Sequence, residues 1–102
     1  MVKLVAVYSK PEDPAAFDKH YFETHLPLAK KMPGLIKCEL EKGLGSPMPG
    51  AEVPHLAAHL YFQDMNALKA AMASPEGKAA AKDLMGFAAQ YVRMFFTEVV
   101  DK

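Results

Sequence analysis

The chain has one cysteine, Cys38, so no internal disulfide can form and the sequence does not read as a secreted disulfide scaffold. It also lacks charge of one sign: twelve Lys and Arg balance twelve Asp and Glu, with no basic run. Without a basic footprint it has nothing with which to follow a phosphate backbone or an anionic lipid surface, so neither nucleic acid nor membrane is expected as a partner. No apolar stretch approaches the roughly 20 residues of a membrane helix. The apolar run at the start alternates and stops at Lys10-Pro11, without the h-region or cleavage site of a signal peptide. The cytoplasm is therefore the expected location. No G-x-G-x-x-G, P-loop or G-x-S-x-G is present, which removes the usual self-contained nucleotide sites and leaves any cofactor unknown. Internal repeats and low-complexity tracts are also missing.

What is there is ordinary globular composition, with 51% apolar and 24% charged residues in 102 positions. That length suits one core, so residues 1–102 are expected to form one domain. Val2–Tyr8 is rich in β-branched residues and reads as a strand. Asp13 is a good N-cap, and Pro14 takes a first helical position where its missing N–H costs nothing. Residues 15–32 then carry helical periodicity, with Phe17, Tyr21, Thr24 and Leu28 on one stripe. Pro27 should kink this helix near Leu26, and Pro33-Gly34 should end it. Residues 35–42 and 55–62 are two alternating runs, joined across a Gly- and Pro-rich loop at 43–54 into a long hairpin. Asp64 caps residues 65–73, Ser74-Pro75 repeats the cap-plus-proline signal before residues 75–85, and residues 91–100 form the last strand. The order is β-α-β-β-α-β: an α+β, ferredoxin-like fold whose antiparallel sheet carries its helices on one face.

Sorting the strands by parity puts Ile36, Cys38, Leu40, Leu56, Ala58, Leu60, Phe62, Val92, Met94 and Phe96 on the helix-covered face. The other face receives Lys37, Glu39, Glu41, His55, Ala57, His59, Tyr61, Tyr91, Arg93, Phe95 and Thr97. The first strand is apolar on both parities, so Tyr8 cannot be assigned to either. The second face is too aromatic to leave in water and too polar for a dry core, which suits a sheet-to-sheet contact between two copies enclosing a partly polar cavity. The alternative is a solvated face with a few aromatics.

The segment Phe17-Asp18-Lys19-His20-Tyr21-Phe22-Glu23-Thr24-His25-Leu26-Pro27-Leu28 resembles the EthD family pattern F-D-x-x-Y-x-x-x-H-x-P-L. Met32-Pro33-Gly34-Leu35 fits the family's helix exit. Met72 to Gly77, then Lys82-Asp83-Leu84 and Phe87, resemble its second helical region. The resemblance implies a homodimeric α/β barrel formed by two ferredoxin-like sheets packed face to face. Many members are labelled reductases or oxidoreductases, although a shared fold does not transfer a reaction.

Tyr21 and His25, four apart on a helix, are neighbours on one face, so a phenol and an imidazole can converge on one ligand. Neutral imidazole exchanges protons near pH 7. The structural alternative is that Tyr21 belongs to the buried stripe and His25 bonds a backbone carbonyl freed by the Pro27 kink. His20 lies about 140° around the helix from His25 and should not share a ligand with it. His59, Tyr61 and Arg93 are candidate substrate-binding groups on the dimer-facing side, with interface hydrogen bonds as the alternative, and Tyr8 is a further candidate. His55 and His59 stand about 13 Å apart along a strand, too far for one metal, so no metal site is expected. Cys38 should be an inert core thiol. The resemblance and the expected polar cavity together imply one of two functions: an enzyme acting on a small aromatic or cyclic organic compound, as an oxidoreductase or by a cofactor-free tautomerisation or cyclisation, or a non-catalytic ligand-binding or accessory dimer.

Overall fold

The computed structural model describes residues 1–100. Its elements are β1 (Val2–Tyr8), α1 (Pro14–His20), a π turn (Tyr21–His25), α2 (Leu26–Ala29), β2 (Lys37–Lys42), β3 (Leu56–Phe62), α3 (Met65–Ala73), α4 (Pro75–Phe87) and β4 (Val92–Glu98). The four strands form one antiparallel sheet in the order β2-β3-β1-β4. The fold is α+β and ferredoxin-like, with the helices on one face.

The register of the central strand resolves what alternation alone leaves open. Leu4 sits between Leu60 and Phe96, Ala6 between Ala58 and Met94, and Tyr8 between Leu56 and Val92. These residues, with Phe17, Tyr21, Leu68 and Leu84 from the helices, make the core. Tyr8 therefore belongs to the helix-covered face and is buried there. Across the other face, Lys37, Tyr61, Lys3 and Thr97 form one row; Glu39, His59, Val5 and Phe95 the next; Glu41, Ala57, Val7 and Arg93 the third.

The helix starts follow the capping residues. Asp13 accepts the Ala16 N–H at 3.1 Å, Asp64 that of Ala67 at 2.8 Å and Ser74 that of Gly77 at 3.0 Å. Only Ser74 separates α3 from α4, and the chain turns so tightly there that a Cβ on Gly77 would stand 2.1 Å from the Ala71 carbonyl oxygen.

Three expectations are corrected. The long helix does not simply kink at Leu26: the Leu26 N–H reaches back five residues to the Tyr21 carbonyl, so the ladder widens into a π turn over Tyr21–His25. Pro27 lacks an N–H and crowds the preceding turn, and the wider turn lies just where that disruption falls. As a result Thr24 faces solvent, and the buried stripe runs through Phe17, Tyr21, His25, Ala29 and Met32. His55 and Tyr91 lie just outside their strands and turn toward the helices: His55 donates from Nε2 to Asp18 at 2.7 Å, and the Tyr91 ring meets Phe17 edge-on. Finally, Met94 and Phe96 have the expected parity, yet they are 41% and 49% exposed because the helices do not cover that part of the edge strand.

Candidate functional site

A cavity lies between the sheet and the helices. Its floor is β1 and β3 (Leu4, Ala6, Tyr8, Ala58, Leu60), and its far wall is Tyr21, His25, Ala29, Ala80 and Leu84. No Asp, Glu, Lys or Arg lines it; the polar groups in its wall are Tyr8, Tyr21, His25 and the thiol of Cys38. Its volume is about 80 Å³, below the ~150 Å³ of a cavity that accepts benzene. Met72 and Met94, both more than a third exposed, stand in the wall at the surface. Their flexible thioether chains give the walls room to adjust to a ring.

Tyr8 and Tyr21 meet edge-on at 5.4 Å between ring centroids, and Tyr21 is again 5.4 Å from the His25 ring. Burial pushes both phenols well above the ordinary tyrosine range, so they remain O–H donors. Burial also holds the His25 imidazole below its usual value, against the opposing pull of Asp83. It is therefore neutral at pH 7. Cys38 is half-buried at the cavity, and desolvation pushes its thiol up.

The second partner of His25 comes from α4. Its Nδ1–H donates to Asp83 Oδ2 at 3.1 Å, while His20 donates from Nε2 to the other oxygen, Oδ1, at 2.9 Å. Phe87, one turn further along α4, packs 4.3 Å from the His20 ring and 5.4 Å from His25. The two histidines thus share a protein partner, although only His25 lines the cavity. On a regular helix five residues separate them by about 140°; the π turn, with its five-residue repeat, brings them to one side. Asp83, and not a freed backbone carbonyl, is thus the partner of His25. Sequence reasoning did not single out Asp83 as a functional group. The available signal was phase: with Gly77, Ala80 and Leu84 facing inward, Asp83 flanks the buried stripe.

The remaining candidates are not in this cavity. His59 accepts from Lys3 Nζ at Nδ1 (3.3 Å) and donates from Nε2 to Glu41 at 2.8 Å. Tyr61 donates to Glu39, and Lys37 Nζ stands 4.5 Å from its ring centroid. Arg93 is exposed beside a separate depression lined by Val7, Ser9, Glu52 and Tyr91. All three lie on the open face of the sheet, so the structure groups Tyr8, Tyr21 and His25 on one side and His59, Tyr61 and Arg93 on the other. Among the described residues, no group of three or more His, Cys, Asp or Glu is placed to hold a metal ion.

Comparison with known proteins is consistent with this architecture. The EthD domain model matches residues 9–90. An uncharacterised 11.0 kDa protein from the thcB-thcC intergenic region of Rhodococcus erythropolis is 39% identical over 100 residues, covering 96% of this chain and 94% of that protein. The crystal structure of an EthD family protein from Bacillus halodurans superposes with a TM-score of 0.92 at 43% identity, covering 98% of this chain and 99% of that one. At the level of fold alone, a dimeric protein of unknown function with a ferredoxin-like fold from Bacteroides fragilis gives a TM-score of 0.64 at 18% identity, covering 96% and 95%.

Proposed function

The chain belongs to the EthD domain family, and on that footing we propose that it binds a small, ring-containing organic compound between helices and sheet and acts on it as an oxidoreductase. The observation that carries this reading is a neutral imidazole and two protonated phenols gathered in an otherwise apolar, uncharged cavity. In that reading His25 takes a proton from the bound compound and the free O–H of the Tyr8–Tyr21 pair donates to the oxygen on which negative charge develops; because proton transfer alone changes no oxidation state, the two electrons of the oxidation pass from that anion to an external acceptor such as dioxygen. A low-dielectric wall strengthens each of these interactions.

The working unit is proposed to be a homodimer in the cytoplasm, with no membrane or nucleic-acid partner. None of the described helices is long and apolar enough to cross a membrane. The open face supports the pairing. Several of its polar groups are already bonded sideways to one another, His59 to Lys3 and Glu41 and Tyr61 to Glu39, so a second sheet could cover these without stranding them, while Thr97 Oγ1 on the same face still lacks a partner that a second copy could supply. His59, Tyr61 and Arg93 then serve as interface groups. A non-catalytic, ligand-carrying dimer is the second reading, favoured by the small size of the cavity.

Native mass spectrometry of the purified protein reads subunit number and any retained small molecule together. A dimer that carries a ring compound, and loses it on His25→Ala, is the expected result. A His25→Ala dimer with unchanged stability and unchanged ligand binding would remove His25 from the site.

A further inference from the structure

The hydrogen-bonding groups in the cavity wall decide what pattern a ligand must present. We infer that Asp83, clamped by His20, fixes His25 with its proton on Nδ1, so that the cavity presents one bare acceptor nitrogen beside one free phenol donor and selects a neutral ring compound bearing both a hydroxyl and a carbonyl. This inference rests on the cavity being a ligand site, and it adds the class of ligand.

An ionised carboxyl accepts hydrogen bonds and donates none. Each oxygen of Asp83 faces one ring nitrogen, His25 Nδ1 at 3.1 Å and His20 Nε2 at 2.9 Å. Both nitrogens must therefore carry a proton, and in a neutral His25 the other nitrogen, Nε2, carries none. His25 is 6% exposed, and its ring forms part of the cavity wall while Asp83 lies outside the cavity. Nε2 is the nitrogen left for a ligand. A partner for it must be a donor, and a hydroxyl fits.

His20 contributes by holding the far oxygen. With one oxygen free, the carboxyl could turn about its Cβ–Cγ bond; with both engaged, the carboxylate plane and the imidazole it orients are held together. Phe87 packs against both rings and restricts them further. Asp83 and His20 are thus positioning residues, since neither lines the cavity.

The remaining polar groups set the rest of the ligand. Buried Tyr8 and Tyr21 stay protonated and are hydrogen-bonded to each other, which uses one O–H and leaves the other to donate, and that donor calls for an acceptor such as a carbonyl oxygen. The wall contains no charged side chain, so an ionised ligand would lose its hydration without a counter-charge. The aliphatic floor of Leu4, Ala6 and Leu60 offers an apolar surface to the face of a ring once the methionine walls give way.

The test has two readouts on the full-length protein. Long-range proton–nitrogen correlation spectra of the ligand-free, 15N-labelled protein report the tautomer of each histidine. The expected spectrum shows His25 protonated at Nδ1, with that preference lost in Asp83→Ala and kept in His20→Gln, whose amide can still donate to the carboxylate. A wild-type His25 protonated at Nε2 overturns the inference, whether or not the variants fold. The second readout is titration with 3-hydroxyacetophenone, its methyl ether 3-methoxyacetophenone, and the anion 3-hydroxybenzoate. The hydroxyketone should bind at least tenfold more tightly than either of the others. Equal binding of hydroxyketone and ether overturns the donor requirement, and equal binding of the anion overturns the neutrality requirement. Failure of all three probes to bind, with His25 protonated at Nδ1, overturns the ligand class and the site reading beneath it but leaves the Asp83 clamp standing.

Discussion

The two faces of the sheet are built from the same four strands and handle polar groups in opposite ways. On the helix-covered face polar side chains are few, and His25 is held by a partner on a different element, Asp83 of α4. On the open face they are many and bonded to neighbours on adjacent strands, as in the Lys3–His59–Glu41 chain and the Tyr61–Glu39 pair. A group fixed at one nitrogen still has the other to offer a ligand. Groups bonded sideways to one another have less left to offer, and are better prepared to be covered. In the proposed function this difference assigns chemistry to one face and pairing to the other, and the assignment can be broken face by face.

The largest effect should come from the covered face. Leu68 is fully buried there, so Leu68→Ala is expected to lower unfolding stability by about 2–5 kcal/mol in urea. A smaller loss would mean that this face is less tightly packed than its burial says.

Next is the open face, through Phe95, which is 44% exposed and lies beside buried Val5. Phe95→Glu should weaken dimerisation by about 100-fold, roughly 3 kcal/mol, while leaving the His25 tautomer unchanged. Sedimentation velocity checks the first part. An unaltered dimer would place the contact elsewhere, with the exposed apolar groups Met94 and Phe96 as the next candidates.

A third prediction concerns pH. Burial depresses the folded-state pKa of His25 below its ordinary value of 6.5. Above pH 6.5 the ring is mostly neutral in both states, and its contribution to stability is fully present. Below it the unfolded chain takes up the proton first, so stability falls as pH drops, until the folded form titrates as well. A single group contributes at most about 1.4 kcal/mol per pH unit. Urea midpoints between pH 7 and 5 should fall less steeply in His25→Gln than in the wild type. Equal slopes would mean that His25 is not held neutral by burial.

How much of this was legible beforehand differs by region. Parity among the paired strand residues, the caps at Asp13, Asp64 and Ser74, and the β-α-β-β-α-β order are local patterns, and the structure follows them; Ile36, expected under the helices, lies before β2 and is exposed. Tyr8 could not be oriented because β1 is central and apolar on both sides: Val5, on the open face, is as buried as Leu4 or Ala6 on the other. The π turn was out of reach of a 3.6-residue reading. It shifts the phase by one residue and exchanges Thr24 for His25 in the core. Asp83 is 58 residues from His25 in sequence, so no periodicity within one element could join them. His55 and Tyr91 were misplaced because alternation says nothing beyond the last paired residue of a strand.

The smallest effect is the one that most sharpens the contrast. The hydrogen bond from Tyr61 is the main cause holding the Glu39 carboxyl below its usual range, and the same bond raises the Tyr61 phenol. Removing the hydroxyl in Tyr61→Phe should therefore move the Glu39 titration upward, read from its side-chain carboxyl resonance, with no change in probe binding on the other face. In a single subunit this pair is open to water, and a surface pair of that kind contributes little. Covered by a second sheet, it would be partly desolvated, and the same deletion would leave a carboxylate with one partner fewer in a drier setting. The upward shift should then be larger in the dimer than in the monomeric Phe95→Glu background. That coupling between two side chains on neighbouring rows of one face would be measured as the departure from additivity in the double variant. Identical shifts in the two backgrounds would show that the Tyr61–Glu39 pair stays in water in the assembly, and the interface would then have to lie on the β1–β4 side of the face alone.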